Sequence, residues 1–150
     1  MAETSILASR RDILLCALAA VAVGPAAATP ASMASAMEAF ARGAPVRPGR
    51  VALTVPALVE NGNAVPLTIE IDSPMTEGDH VKRIAVFNER NPQPNVATFE
   101  LGPRAGRARI STRIRLGDSQ RIAAIAEMSD GSLWSGTADL IVTLPACIEQ

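Results

Sequence analysis

The side chain best able to do covalent chemistry is the thiol of Cys147, near the C-terminal end of a 150-residue sequence. The other cysteine, Cys16, sits inside a stretch with the character of a targeting segment, so export would leave Cys147 alone. In an oxidising compartment structural cysteines come in pairs, and a single one cannot form an internal disulfide. A lone thiol there is incidental, a link to another chain, or a working group. His80 is the only histidine, so no Ser-His-Asp set can be built without it and no second imidazole exists for a zinc site. Its place beside Asp79, at the start of an apolar segment, reads as a solvent-facing structural histidine. Glu77 and Asp79 flank Gly78 and read as turn chemistry. Met75, Met128, His80 and Cys147 are soft enough for Cu(I), but their spacing forms no motif. No phosphate-cradling glycine loop is present. The sequence therefore predicts no catalytic residue, no metal and no cofactor.

The elements that must position Cys147 begin after the N-terminal segment. Arg10 and Arg11 precede an apolar run from Ile13 to Val23, too short to cross a bilayer as a helix, which takes about 20 residues. Residues 1–28 read as a twin-arginine signal, with an ordinary secretory signal as the alternative. Either places the mature protein outside the cytoplasm, in the periplasm on the twin-arginine reading. Cleavage fits after Ala28, and a second small-residue site ends at Ala36. Thr29 and Pro30 make a helix start, Met33, Met37, Phe40 and Ala41 recur at helical spacing, and Gly43 closes a helix over 29–43. The Met/Phe stripe is expected to dock on the domain's own core. Residues 44–50, with Pro45 and Pro48, read as a linker.

From Val51 the period changes to two. Val51, Leu53 and Val55 alternate, as do Leu67, Ile69 and Ile71, and Ile110, Thr112, Ile114 and Leu116. Such alternation marks strands with one buried and one wet face. Val81–Glu89, Val96–Leu101, Arg121–Met128 and Leu133–Leu144 supply further strands, and Asp130-Gly131 reads as a tight hairpin turn. About seven short strands over 51–144 predict an all-β, immunoglobulin-like sandwich. With 48% hydrophobic residues the chain can fill a core, while 3% aromatics and no Tyr exclude a stacking platform for single-stranded nucleic acid. A net charge of -1 gives no general attraction to phosphate backbones or anionic membranes.

Two features remain exposed in this scheme. Arg109, Arg113 and Arg115, with Arg104 and Arg107 nearby, form either a solvated strand face or a basic patch for an acidic partner. Pro145 lacks an N–H, so pairing is expected to stop there. Residues 145–150, Pro-Ala-Cys-Ile-Glu-Gln, then form a mobile C-terminal arm that reaches on the order of 15 Å.

Several stretches carry a family resemblance: Glu60-Asn61-Gly62-Asn63-Ala64-Val65-Pro66, Ile71-Asp72-Ser73-Pro74-Met75-Thr76, Asn91-Pro92-Gln93-Pro94 through Phe99, Ser111 to Leu116, and Ala126 to Gly131. Together they resemble the SoxY sulfur-oxidation carriers from Val51 to Cys147. The resemblance implies an immunoglobulin-like fold, twin-arginine export and a heterodimer with a second small β-protein, SoxZ. It also implies a sulfur intermediate held covalently on Cys147 and presented to separate periplasmic enzymes. The family's thiosulfate carriers end in Gly-Gly-Cys-Gly-Gly. Here Pro145, Ala146, Ile148 and Glu149 flank the thiol, like a paralogous branch whose arm reads Ala-Ala-Cys-Ile-Glu. Bulk and charge beside the sulfur should clash in a channel shaped for glycine and be read by a different enzyme. The residues alone leave two other readings: an immunoglobulin-like binding module with an incidental thiol, and a thiol-redox or copper-handling protein.

Glu149 and the terminal carboxylate disfavour the thiolate of Cys147. Alkylation of Cys147 is therefore expected to accelerate only as pH rises toward or past the ordinary thiol pKa of about 8.5. A rate already maximal well below neutral pH would sink that expectation.

Overall fold

The computed structural model describes residues 27–146; most of the N-terminal segment, and Cys147, Ile148 and Glu149 of the arm, lie outside the described residues. One helix and nine strands follow in order. Helix α1 spans Pro30–Ala41. The strands are β1 Val46–Pro48, β2 Val51–Thr54, β3 Leu58–Val59, β4 Val65–Ile71, β5 Val81–Asn88, β6 Asn95–Glu100, β7 Arg109–Ile114, β8 Gln120–Met128 and β9 Leu133–Val142. They form two sheets, one ordered β1-β9-β8-β5-β6 with β3 also on β9, the other β2-β4-β7. The all-β sandwich expected from the sequence is observed, and its seven predicted strands correspond to β2 and β4 to β9.

The two sheets close over one apolar core. Strand β4 alternates strictly, burying Val65, Leu67, Ile69 and Ile71 while Pro66 and Glu70 face out. Its inward side chains meet Ile84, Val86, Ile122, Ala124, Ala126 and Met128 of the larger sheet. Strands β5 and β8 do not alternate. Ala85, Phe87, Ala123 and Ile125, on their other face, are also buried and form a second cluster with Met33, Ala41 and Leu133. This is the signature of strands covered on both faces, and the cover is α1.

Three local features hold α1 in place. Thr29 Oγ1 accepts from the Ser32 N–H at 3.1 Å and Ser32 Oγ accepts from the Thr29 N–H at 2.7 Å, a reciprocal cap. Phe40 meets the edge of Phe87 at 6.1 Å between ring centres. Arg83 lies over the Phe40 ring, 4.5 Å from its centroid, and hydrogen-bonds Glu127 through Nε at 2.8 Å. The Met/Phe stripe does dock on the domain's own sheet. The helix reverses one residue earlier than expected, at Arg42 with φ 53°, before Gly43 at φ 79°.

One part of the sequence reading needs correction. The stretch 44–50, read as a linker, contains β1, which pairs in parallel with β9 from Val46↔Leu133 to Pro48↔Ser135. Pro48 is tolerated because β1 is an edge strand. Beside it, Arg47 and Arg50 both lie over the ring of Trp134, at 5.7 and 5.6 Å from its centroid. Among the described residues no helix is long and apolar enough to cross a membrane.

Glu127 gathers Arg83, Lys82 at 3.5 Å and Arg42 at 4.0 Å around one largely buried carboxylate. Burial pushes this carboxyl upward, but the hydrogen bond and charge of Arg83, helped by Lys82, outweigh it and hold it below its ordinary value. A carboxyl depressed in the fold stabilises it above the unfolded pKa, and that stability is lost as pH falls through the lower folded value. Glu127→Gln is thus expected to flatten the loss of stability below about pH 4.5. Urea midpoints measured from neutral pH into acid test this, and a variant as acid-sensitive as the parent refutes it.

Candidate functional site at the root of the C-terminal arm

The last described residue, Ala146, sits immediately before the thiol and is 6% exposed. Pairing does not simply stop at Pro145. Regular strand β9 ends earlier, at Val142, and specific main-chain bonds then hold the segment to its end. Thr143 N–H donates to Val59 O at 2.9 Å, Gly62 N–H to Leu144 O at 2.9 Å, and Ala146 N–H to Leu116 O at 3.1 Å. Leu116 N–H in turn donates to Gly62 O at 2.9 Å. The turn after β3, the loop after β7 and the arm root are thereby tied into one knot of backbone. Proline at 145 removes a donor, but its neighbours 144 and 146 still engage. The expected six-residue mobile arm is docked through its first two residues, Pro145 and Ala146.

Sequence and local structure explain the knot. Asn61 Oδ1 accepts from Asn63 N–H at 2.9 Å and caps the short turn Gly62–Ala64. This presents both the N–H and the C=O of Gly62 to the arm side. Gly62 is itself buried. Ser119 Oγ accepts from the Val142 N–H at 2.9 Å, fastening the end of β9 to the loop after β7.

That loop is braced by a part-buried polar network built on the Asn91-Pro92-Gln93-Pro94 stretch. Asn91 Nδ2 donates to Arg115 O at 2.7 Å, while its Oδ1 accepts from Gly117 N–H at 3.1 Å and Gln120 Nε2 at 3.0 Å. Asn88, 1% exposed, donates to Gln93 O and accepts from Asn91 N–H. No described side chain is left with a buried polar atom unpaired. Asn91 O also accepts from Ala28 N–H at 2.7 Å, a bond that cleavage after Ala28 would remove.

An apolar patch surrounds the root. Leu58, Ile141 and Leu144 are 59–60% exposed, and Leu58 and Ile141 are register partners on β3 and β9. A concavity of about 690 Å³ lies elsewhere. It is lined by Arg50, Glu70, Asp72 and Arg107 at the Ile71 end of β4, the opposite end from Val65 and the arm root. Its mixed charges give no single-sign field.

The remaining residues singled out in the sequence are dispersed. Arg109, Arg113 and Arg115 are exposed, and among the described residues only Arg109 of the three meets a carboxylate, Glu70 at 3.8 Å. Arg115 immediately precedes Leu116, so its main chain adjoins the arm root, while Arg109 lies at the other end of β7, opposite Glu70. His80 Nδ1 lies 3.1 Å from Thr76 O in the loop before β5. Asp79 N–H donates to Thr76 Oγ1 at 3.1 Å, the local turn chemistry expected there. Among the described residues no group of three His, Cys, Asp or Glu could hold a metal ion. Gly62 and Leu116 were inside stretches quoted for the family resemblance, but nothing in local sequence marks them as partners of residue 146.

Removing the Asn91 side chain takes its partner from Arg115 O and from Gly117 N–H, and leaves Gln120 Nε2 with Asp118 O alone. Asn91→Ala is expected to cost about 1–3 kcal/mol and to speed amide exchange at Gly117. Chemical denaturation with hydrogen exchange checks both, and unchanged protection at Gly117 would show that the scaffold does not hold the loop.

Comparison with known proteins agrees with this architecture. The family model described as sulfur oxidation protein SoxY matches residues 36–147. No curated protein matches the sequence. The solved sulfur carrier protein SoxY from Chlorobium limicola f thiosulfatophilum superposes with a TM-score of 0.64 at 24% identity, covering 77% of this chain and 100% of that one. A superoxide reductase (neelaredoxin) from Ignicoccus hospitalis gives 0.56 at 13% identity over 63% and 80% of the two chains. A putative superoxide reductase from Thermotoga maritima gives 0.53 at 20% identity over 69% and 89%. At these identities the structural likenesses speak for the fold. The family match spans most of the sequence, through the strands, the Gly62 turn and the arm root to Cys147 itself, and by it the chain belongs to the SoxY family of sulfur oxidation proteins.

Proposed function

We propose that this protein is a periplasmic carrier in sulfur-compound oxidation that holds its cargo covalently on Cys147. The observation that carries the reading is the family match ending at Cys147, next to a root that the body grips by main-chain hydrogen bonds. A carrier needs one accessible attachment atom on a stable body, and no catalytic apparatus of its own. Joining the Cys147 sulfur to a thiol-level sulfur compound forms an S–S bond and releases the thiol protons and two electrons. A partner redox enzyme must accept those electrons, so the carrier is a substrate of other enzymes rather than an enzyme.

Partner choice follows from what surrounds the thiol. Ile148 and Glu149 replace the glycines of the thiosulfate-carrier arm, and the cargo or the enzymes that read this arm differ accordingly. Leu58, Ile141 and Leu144 give a visiting protein an apolar footing beside the arm. A SoxZ-like subunit is the expected heterodimer partner. Export through the twin-arginine route with cleavage after Ala28 leaves α1 whole with its Thr29 cap, whereas a cut after Ala36 would divide the helix.

Intact-mass measurement of protein taken from native periplasm tests the reading. Sulfur-containing adducts on the parent and none on Cys147→Ser are expected. A clean free thiol under every growth condition, with no phenotype for Cys147→Ser, would support the binding module instead. Retained copper would favour the metal-handling alternative.

A further inference from the structure

The glycine at position 62 is not there for its torsion angles. The described glycines in the left-handed region are Gly43, Gly49, Gly106 and Gly131; Gly62 is not among them. It is there for space. A Cβ added at Gly62 would press into Leu116 O, more closely than real Cβ atoms approach, and would lie 2.8 Å from Ala146 N and 3.2 Å from Val142 Cγ1. Leu116 O and Ala146 N are the acceptor and donor of the hydrogen bond that ends the docked chain. A single methyl group would thus occupy the place where that bond closes.

We propose that Gly62 is a positioning residue that sets the reach of Cys147, an inference that rests on Cys147 being the attachment point. With the clamp closed the chain is fixed through Ala146, and the next Cα lies one residue step, roughly 3.8 Å, away. Cargo is then presented at the surface of the sandwich. If the clamp opens, the next main-chain tether back along the chain is Leu144 O on Gly62 N–H, with Thr143 N–H on Val59 O behind it. Freeing Pro145 and Ala146 lengthens the reach by roughly 7 Å. A shallow cleft can take the thiol from the closed form; a deep channel can take it only from the open one. The clamp therefore sorts partner enzymes by the depth of their sites, independently of the side chains on the arm.

The test uses a Cys16→Ser chain, which leaves Cys147 as the one cysteine, carrying a nitroxide spin label on Cys147. The parent is expected to show a predominantly restricted label. Ala146→Pro deletes the N–H that bonds Leu116 O, and the loss of one backbone hydrogen bond is expected to raise the mobile fraction about five-fold. The melting temperature should stay nearly unchanged, since the core is untouched. Gly62→Ala should mobilise the label at least as much. If Gly62→Ala does not fold, Ala146→Pro decides alone. A label as mobile in the parent as in Ala146→Pro, or unchanged in the variants, overturns the proposal. The label reports motion only, so this result is separate from the adduct masses that decide whether Cys147 carries cargo.

Discussion

Strands β5 and β8 must be kept from water on both faces, and most of the molecule is arranged around that constraint. One face carries Ile84, Val86, Ile122, Ala124 and Ala126 toward the β2-β4-β7 sheet. The other carries Ala85, Phe87, Ala123 and Ile125, and among the described residues α1 packs over it. At about 25 cal/mol per Å² of apolar surface buried, leaving Phe87 and Ile125 exposed would offset a large part of the marginal stability typical of a domain. This explains why the helix is capped so fully at Thr29 and why Arg83 and Glu127 fasten its far end. The helix is part of the sandwich, a third layer rather than an appendage.

The same constraint reaches the arm. Strand β8 is held in register by β9, and β9 runs out into the arm root. The loop that precedes β8 supplies Leu116 O, and Asn91, in the connection between β5 and β6, braces that loop. The root of the arm is therefore bonded to segments whose positions are fixed by the core. A thiol presented from such a base inherits a defined origin, even though the chemistry it performs belongs to partner proteins.

How much of this the sequence discloses depends on the range of the interactions involved. Strands with one wet face announce themselves by alternation, as Leu67, Ile69 and Ile71 do, and the helix by Thr29-Pro30 and its Met/Phe stripe. Strands β1 and β3 carry three and two residues, too few for any period. They exist because β9 offers its edge to segments distant in sequence, which left 44–50 looking like a linker. Cys147 could be singled out from chemistry alone. Its anchorage could not. Pro145 speaks locally for an end to pairing, while the bond from Ala146 to Leu116 spans a separation that no local pattern encodes. Gly62 was legible only as a turn glycine beside asparagines, the commonest reason for a glycine. That its missing side chain makes room for two other segments becomes visible only when those segments are placed.

Four hydrogen bonds of the arm-root knot join main-chain atoms, Thr143 to Val59, Gly62 to Leu144, Leu116 to Gly62 and Ala146 to Leu116, and the Thr143 hydroxyl adds contacts to Val59 O and Glu60 O. Beyond Thr143 the grip is made by the main chain, asking that residue 62 have no side chain and residue 146 keep its N–H. The last residues of the chain are consequently free to vary without loosening their attachment. Changes at Ile148 or Glu149 therefore leave the same mount in place. Body and arm become separable units of change, one conserving a geometry and the other exploring an address.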